Sequence, residues 1–458
     1  MTPAPETPRQ PVFAPASAEA ASGTRSASES RGPRVFLGLS DICGYYQQLE
    51  LGLREIGVDC TYVNAFPSPN RFARVTRPGV LGRIVEWVGR KRVRQREGSF
   101  GRRFWIAVQG FFLLLYFLGT LGKYDVYVFA SGDSFLRGHD LGFLRLLGKR
   151  IIAVFHGSDS RPPYMNAAYV GSEGDLDPQR WNALTRSIKA AVRKIERNAV
   201  CIDHSMNGHF HERPFVNWLE IGIPSPEVAQ LAETKRDNGQ RSVIVHAPTR
   251  PGPKGTRAIE SAVGSLQARG FDVELVTLVG RSNEEVLAAL AESDFIVDEL
   301  YSDTPMATFA TEAASFGKPA IVGMHGFDAL RRFCTEDTIP PAFVCRASEV
   351  EQAIETLHTD RERRLALGRE AREFVRQRWS RVNVARRFLR VIENDIPAHW
   401  WIDPRRIDYL HGWGLTGDRL RAVLRACIEA GGVAALHVSD KPELQRRLVD
   451  FARGSANA

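Results

Sequence analysis

A turn rich in proline and glycine carries two cations: His246-Ala247-Pro248-Thr249-Arg250-Pro251-Gly252-Pro253-Lys254-Gly255-Thr256. It leaves an apolar run, Ser242 to His246, and opens a helical pattern, so Lys254 stands just ahead of a first helical turn. Backbone N–H groups at a helix start attract anions, and Arg250 and Lys254 could close on the same phosphate group. An ordinary Pro/Gly connection with two exposed cations fits the same residues. A second stretch runs from Asp294-Phe295-Ile296-Val297-Asp298-Glu299-Leu300 through Asp303-Thr304-Pro305 to Phe309-Ala310-Thr311-Glu312, and then to Gly317-Lys318-Pro319. Glu312 falls in the first turns of a helix beyond a strand end, where open α/β sheets bind ligands and where a carboxylate can accept two ribose hydroxyls. Gly317 caps that helix and Pro319 stops it. In the first half of the chain, Phe155-His156-Gly157-Ser158-Asp159 sets His156 and Asp159 directly beyond another strand, placed either to act in a cleft or to cap a turn. Gly44, in Asp41-Ile42-Cys43-Gly44, lets backbone approach a diphosphate or an acceptor, or is a plain turn glycine. His204, His209 and His211 match no recurrent metal spacing and read as part of a polar interdomain loop.

These residues need strands and helices to hold them, and the pattern supplies two successive sets. Arg34 to Leu39, Val58 to Val63, Tyr124 to Phe129 and Lys149 to Phe155 are short apolar runs separated by helical segments. The alternation begins again at Ser242 to His246, Val273 to Val279, Phe295 to Asp298 and Pro319 to Gly323. Near-continuous β-branched runs between helices indicate parallel sheets covered on both faces. The expected organisation is a disordered tail over 1–32, an α/β domain over 33–220, a second over 221–397 and a helical appendage over 398–458.

Together the turn at Arg250 and Lys254 and the Glu312 helix resemble the donor-binding domain of retaining glycosyltransferases of family 4, which have the two-Rossmann GT-B fold. The resemblance spans 220–395 well and 34–215 more loosely. It implies that Arg250 and Lys254 hold the diphosphate of a nucleotide-sugar and that Glu312 holds its ribose. The stretch around His156 is similar to one whose histidine faces the donor sugar. Gly44 would then approach the diphosphate. This chain departs from the family at one point: a second glutamate eight positions before Glu312 would fall at Thr304, beside Asp303, which puts the donor-sugar contacts at Asp303 and Thr304 in question.

Length and charge bound the reading further. The 458 residues, with 43% hydrophobic and 25% charged, suit a soluble chain of two large domains. Six scattered cysteines form no CxxC pair and read as reduced thiols of a cytosolic protein. The net charge of +8 is concentrated: residues 71–103 hold eleven basic residues, among them Arg71, Arg74 and Arg77, against Glu86 and Glu97 alone. Phe104 to Leu121 follows almost wholly apolar. A solvated loop plus a core helix, a peripheral attachment over 71–121 to an anionic membrane, and a short span all fit that pattern. No recognition motif supports a nucleic-acid partner. The chain is expected to be a metal-independent glycosyltransferase without cofactor, transferring a sugar with retention to a lipid-linked or cell-envelope glycan at the inner face of the cytoplasmic membrane. The rivals are a nucleotide-sugar 2-epimerase, which needs additional carboxylates, and a catalytically degenerate GT-B partner subunit, which Thr304 motivates.

Overall fold

Seven strands form the first sheet: β1 (Val35–Ser40), β2 (Cys60–Phe66), β3 (Val126–Ala130), β4 (Arg150–Val154), β5 (Val200–Asp203), β6 (Phe215–Asn217) and, from the far end of the chain, β12 (Trp401–Ile402). Five form the second: β7 (Ser242–His246), β8 (Val273–Thr277), β9 (Phe295–Val297), β10 (Ala320–Gly323) and β11 (Phe343–Cys345). The computed structural model describes residues 32–67, 78–171, 176–226 and 241–454. The expected tail, Arg71, Arg74, Arg77 and most of the 220–240 junction lie outside the described residues. All pairings are parallel except that of β12 with β6. The apolar runs become strands because both faces are covered; β1, β3 and β10 are buried along their whole length.

The strand orders are β12-β6-β5-β4-β3-β1-β2 and β11-β10-β9-β7-β8. In each sheet the order reverses beside the first strand, between β1 and β3 and between β7 and β9. Loops leaving the carboxyl ends of those strands diverge there and open a crevice, the standard ligand position in doubly wound sheets. This is the two-Rossmann architecture that the resemblance implies.

Two segments tie the domains together. The helix Arg381–Glu393 follows the second domain but packs on the helix Tyr45–Glu55 of the first, where Arg381 and Glu55 pair at 2.6 Å. Residues 398–454, the described part of the expected helical appendage, close on the first domain. Leu420, Val423, Leu424 and Leu448 from its helices join the same apolar core as Phe36, Phe129 and Trp181, and Tyr164 donates to Leu436 O at 3.0 Å. An amphipathic helix pair of that length needs a surface to cover, and the helix Pro178–Glu196 provides it.

Candidate active site

The turn after β7 is fixed by His246. Its Nδ1 lies 2.8 Å from Val297 O and its Nε2 2.8 Å from Thr256 Oγ1. Burial lowers its pKa to about 4, so the neutral ring donates to the carbonyl and accepts from the hydroxyl, tying β7, β9 and the next helix together. Gly255 adopts φ +79°, and a Cβ there would stand 2.9 Å from that of Leu300. Only glycine meets both demands. Arg250 is exposed at the start of the short helix Pro251–Lys254. Lys254 ends it and reaches back across the β7/β9 crevice: its Nζ is 2.9 Å from Asp298 Oδ1 and 3.6 Å from Glu299 Oε2. Burial works against its charge, but Asp298 and Glu299 outweigh that and raise its pKa.

Glu312, on the helix Thr308–Ser315, accepts a hydrogen bond from Asn283 Nδ2 at 2.8 Å. Burial, with Asp298 nearby, raises its pKa to about 7 against the opposing pull of Asn283 and Lys254. The glycine turn of the first domain faces this group. Gly44 sits at φ +77° as the N-cap of the helix Tyr45–Glu55, and the adjacent Cys43 lies against Thr308 within electrostatic reach of Glu312 and Lys254. The structure thus gathers Gly44, Lys254 and Glu312 at one end of the cleft.

His156 and Asp159 lie beyond β4, on the first domain's side. The His156 ring packs against Tyr45 and Tyr46, and its Nε2 is 3.0 Å from the Tyr46 hydroxyl. Burial lowers its pKa to about 4, so it is neutral at pH 7. Asp159 does not touch the ring; its Oδ1 accepts the backbone N–H of His156 at 3.0 Å, closing the turn that aims the histidine. Burial and the nearby Asp203 raise the Asp159 carboxyl to about 6. Burial also raises Asp41, beside Gly44, to about 6.

The residues in question for the donor sugar are placed differently from one another. Asp303 is buried against Arg161 of the first domain, accepting from its Nε at 2.9 Å, while the same Nε also donates to Asn207 Oδ1 at 3.1 Å. Asp303 thus latches the two domains. The Thr304 hydroxyl oxygen is buried without a hydrogen-bond partner among the described residues. Of the three histidines, His211 bridges two buried carboxylates, Nδ1 to Glu196 at 3.2 Å and Nε2 to Asp203 at 3.1 Å. His204 Nδ1 accepts the Met206 N–H, and His209 Nε2 is 2.7 Å from Tyr409 O. Among the described residues no group of three or more His, Cys, Asp or Glu is arranged to hold a metal.

Four contributors were not read as site residues from sequence: Asp298, Glu299, Tyr46 and Trp413. Asp298 and Glu299 stand directly beyond β9, so the strand-end rule that selected Glu312 applies to them equally. Trp413 offered no local signal. It arrives from the far end of the chain, where its indole N–H donates to Glu299 Oε2 at 3.1 Å and its ring lies 5.8 Å from the Arg161 guanidinium.

The fold is of the GT-B class. No family model matches the chain, and no curated protein matches it. Solved structures resemble it distantly. Anabaena HepE in complex with UDP-glucose superposes with a TM-score of 0.43 at 12% identity, covering 79% of this chain and 99% of that one. The glycosyltransferase of kitacinnamycin gives 0.41 at 14%, covering 80% and 100%. Staphylococcus aureus MnaA with UDP gives 0.38 at 12%, covering 80% and 97%.

Proposed function

We propose that this chain is a glycosyltransferase that moves a sugar from a nucleotide-sugar to a glycan or glycolipid acceptor, with retention and without a metal. The observation that carries the reading is the convergence of Lys254, Glu312 and the Gly44 turn on one end of the cleft, at the points where both strand orders reverse. Arg250 and Lys254 would neutralise the diphosphate as the bond from the sugar's anomeric carbon to the phosphate oxygen breaks. The acceptor hydroxyl would bond to that carbon, its proton passing to the departing diphosphate oxygen. Glu312 would accept the ribose hydroxyls. His156, held neutral and aimed by Tyr46 and Asp159, would hydrogen-bond the sugar rather than carry charge. Closing the cleft would exclude water that otherwise hydrolyses the donor.

One observation favours a second reading. Asp41 and Asp159, with pKa values near 6, stand on the same side of the cleft and could serve as acid and base of a nucleotide-sugar 2-epimerase. Incubation with nucleotide-sugars, with and without a mixture of glycolipid acceptors, separates the two. Transfer only when acceptor is present supports the glycosyltransferase; conversion of the donor to its epimer without acceptor overturns it.

A further inference from the structure

The helices Val80–Val93 and Phe100–Thr120 form an antiparallel hairpin between β2 and β3. One face of the second helix packs inward through Gln109, Leu113, Phe117 and Thr120, and Gln109 Nε2 donates to Ala65 O at 2.6 Å. Phe112 and Tyr116 flank that face half-buried against the core, and the opposite face is exposed. This helix is 21 residues long, and its most apolar 18-residue stretch has a mean hydropathy of 1.4, yet only 22% of that stretch is buried. Phe100 is 85% exposed, and Trp87, Phe104, Phe111, Leu114 and Leu118 continue the apolar surface. Patches of this kind on a folded protein mark contact with a partner or a membrane.

The hairpin tip has a definite place in the fold. Gly82 lies against Val63, and Gly89 lies against Ala65 and Pro67, so the first helix ascends alongside β2 and ends past its carboxyl end. Arg92 there stacks on Phe66, at 5.2 Å from its ring centroid, and is within electrostatic reach of Asp133, which follows β3. The basic residues Arg90 to Arg96, Arg102 and Arg103 are therefore grouped at the cleft edge of the first domain, next to the exposed apolar face.

We infer that this hairpin is a docking face for an anionic lipid bilayer, steered by the arginines of the tip and seated by the exposed aromatic and leucine side chains. Charge selects the occupant. Two copies of the chain meeting through this face would bring two strongly basic tips together, whereas anionic headgroups complement both the cations and the adjoining apolar surface. The attachment is peripheral. Strands β2 and β3 flank the hairpin in sequence, and both hydrogen-bond to β1; a spanning helix would have to leave the sheet and would separate strands that share a neighbour. On the glycosyltransferase reading, on which this last step rests, docking sets the cleft mouth at headgroup level and makes the acceptor lipid-borne.

Sedimentation of the full chain with phosphatidylcholine vesicles, with and without phosphatidylglycerol, tests the docking without any nucleotide. The outcome is thus independent of the donor site. Binding is expected for anionic vesicles at low salt, falling at high salt but not to zero, because apolar contacts are not screened. Each arginine near the surface changes partitioning about fivefold, so Arg94→Ser with Arg96→Ser should weaken it roughly thirtyfold. Phe100→Ser with Phe104→Ser, both more than half exposed, should cut the salt-resistant fraction. Absence of binding at low salt, equal binding to neutral vesicles, or retention on membranes through salt and alkaline wash would overturn the inference. So would a dimer in light scattering that the Phe100→Ser, Phe104→Ser variant dissolves.

Discussion

Removing Lys254 disturbs two things at once, and the structure allows them to be separated. Its ammonium sits 2.9 Å from Asp298 Oδ1, and Asp298 is 1% exposed, its Oδ2 without a hydrogen-bond partner among the described residues. Lys254→Ala therefore strands a buried carboxylate, a change that typically costs about 3–5 kcal/mol of stability. Glu299 is less affected, since Ser302 Oγ at 2.9 Å and Trp413 Nε1 at 3.1 Å still donate to it. Adding Asp298→Asn removes the stranded charge and should restore most of the stability. The lost contact to a diphosphate remains lost, a charge-assisted hydrogen bond worth roughly 1.5–3 kcal/mol, or about tenfold or more in affinity. The assay is thermal unfolding of wild type, Lys254→Ala and the double variant, each with and without a panel of nucleoside diphosphates. The expected pattern is low, then recovered, stability, with nucleotide affinity weak in both variants. Wild-type affinity in the stable double variant would refute the diphosphate assignment.

Three further outcomes follow from the geometry. Because Glu312 titrates near 7 in the fold against an ordinary value of 4.5, and its ionised form accepts ribose hydroxyls, nucleotide affinity should rise between pH 6 and 8 and lose that dependence in Glu312→Gln. The same raised pKa means the folded state loses stability as pH climbs from about 4.5 to about 7, with no further loss above it, so Glu312→Gln should unfold no lower than wild type at pH 8; a sharp fall with affinity unchanged would make Glu312 structural. His211 is opposed by burial, but Asp203 and Glu196 raise its pKa above the ordinary 6.5. Its contribution is therefore complete below pH 6.5 and lost as pH rises through the raised value; unfolding temperature should decline over that interval in wild type, and His211→Asn should flatten the decline. Asp303→Asn should destabilise by about 3–5 kcal/mol by leaving Arg161 buried and unpaired, while Arg161→Met with Asp303→Leu should recover most of it, read by chemical denaturation.

The two-domain alternation was legible because buried parallel strands write themselves as apolar runs, and the placement of Lys254 and Glu312 beside the β7/β9 crevice because both follow strand ends. What crosses the cleft was not legible. The Arg161 to Asp303 latch joins residues 142 apart, and the Trp413 to Glu299 contact joins residues 114 apart; neither leaves a periodic or local mark. The 398–458 segment read as an appendage because its helical amphipathicity shows that a partner surface exists and not which one. Among the histidines, spacing argued against a metal, yet only the fold shows His211 held between Glu196 and Asp203. The apolar stretch after the basic run stayed ambiguous for a related reason: composition gives its hydropathy, and only packing shows that one face is covered and the other bare.

If the cleft between the β7/β9 crevice and the Gly44 turn holds a nucleotide-sugar, a wild-type thermal-shift panel of nucleoside diphosphates and their sugars will reveal it. At a hundredfold excess over its dissociation constant a bound ligand stabilises by about 2.7 kcal/mol, enough for a clear shift. Such a shift is expected for the diphosphates of one base and for the matching sugar conjugates, with little for the free nucleoside. No shift from any nucleoside diphosphate, or the same shift from inorganic diphosphate alone, would contradict it.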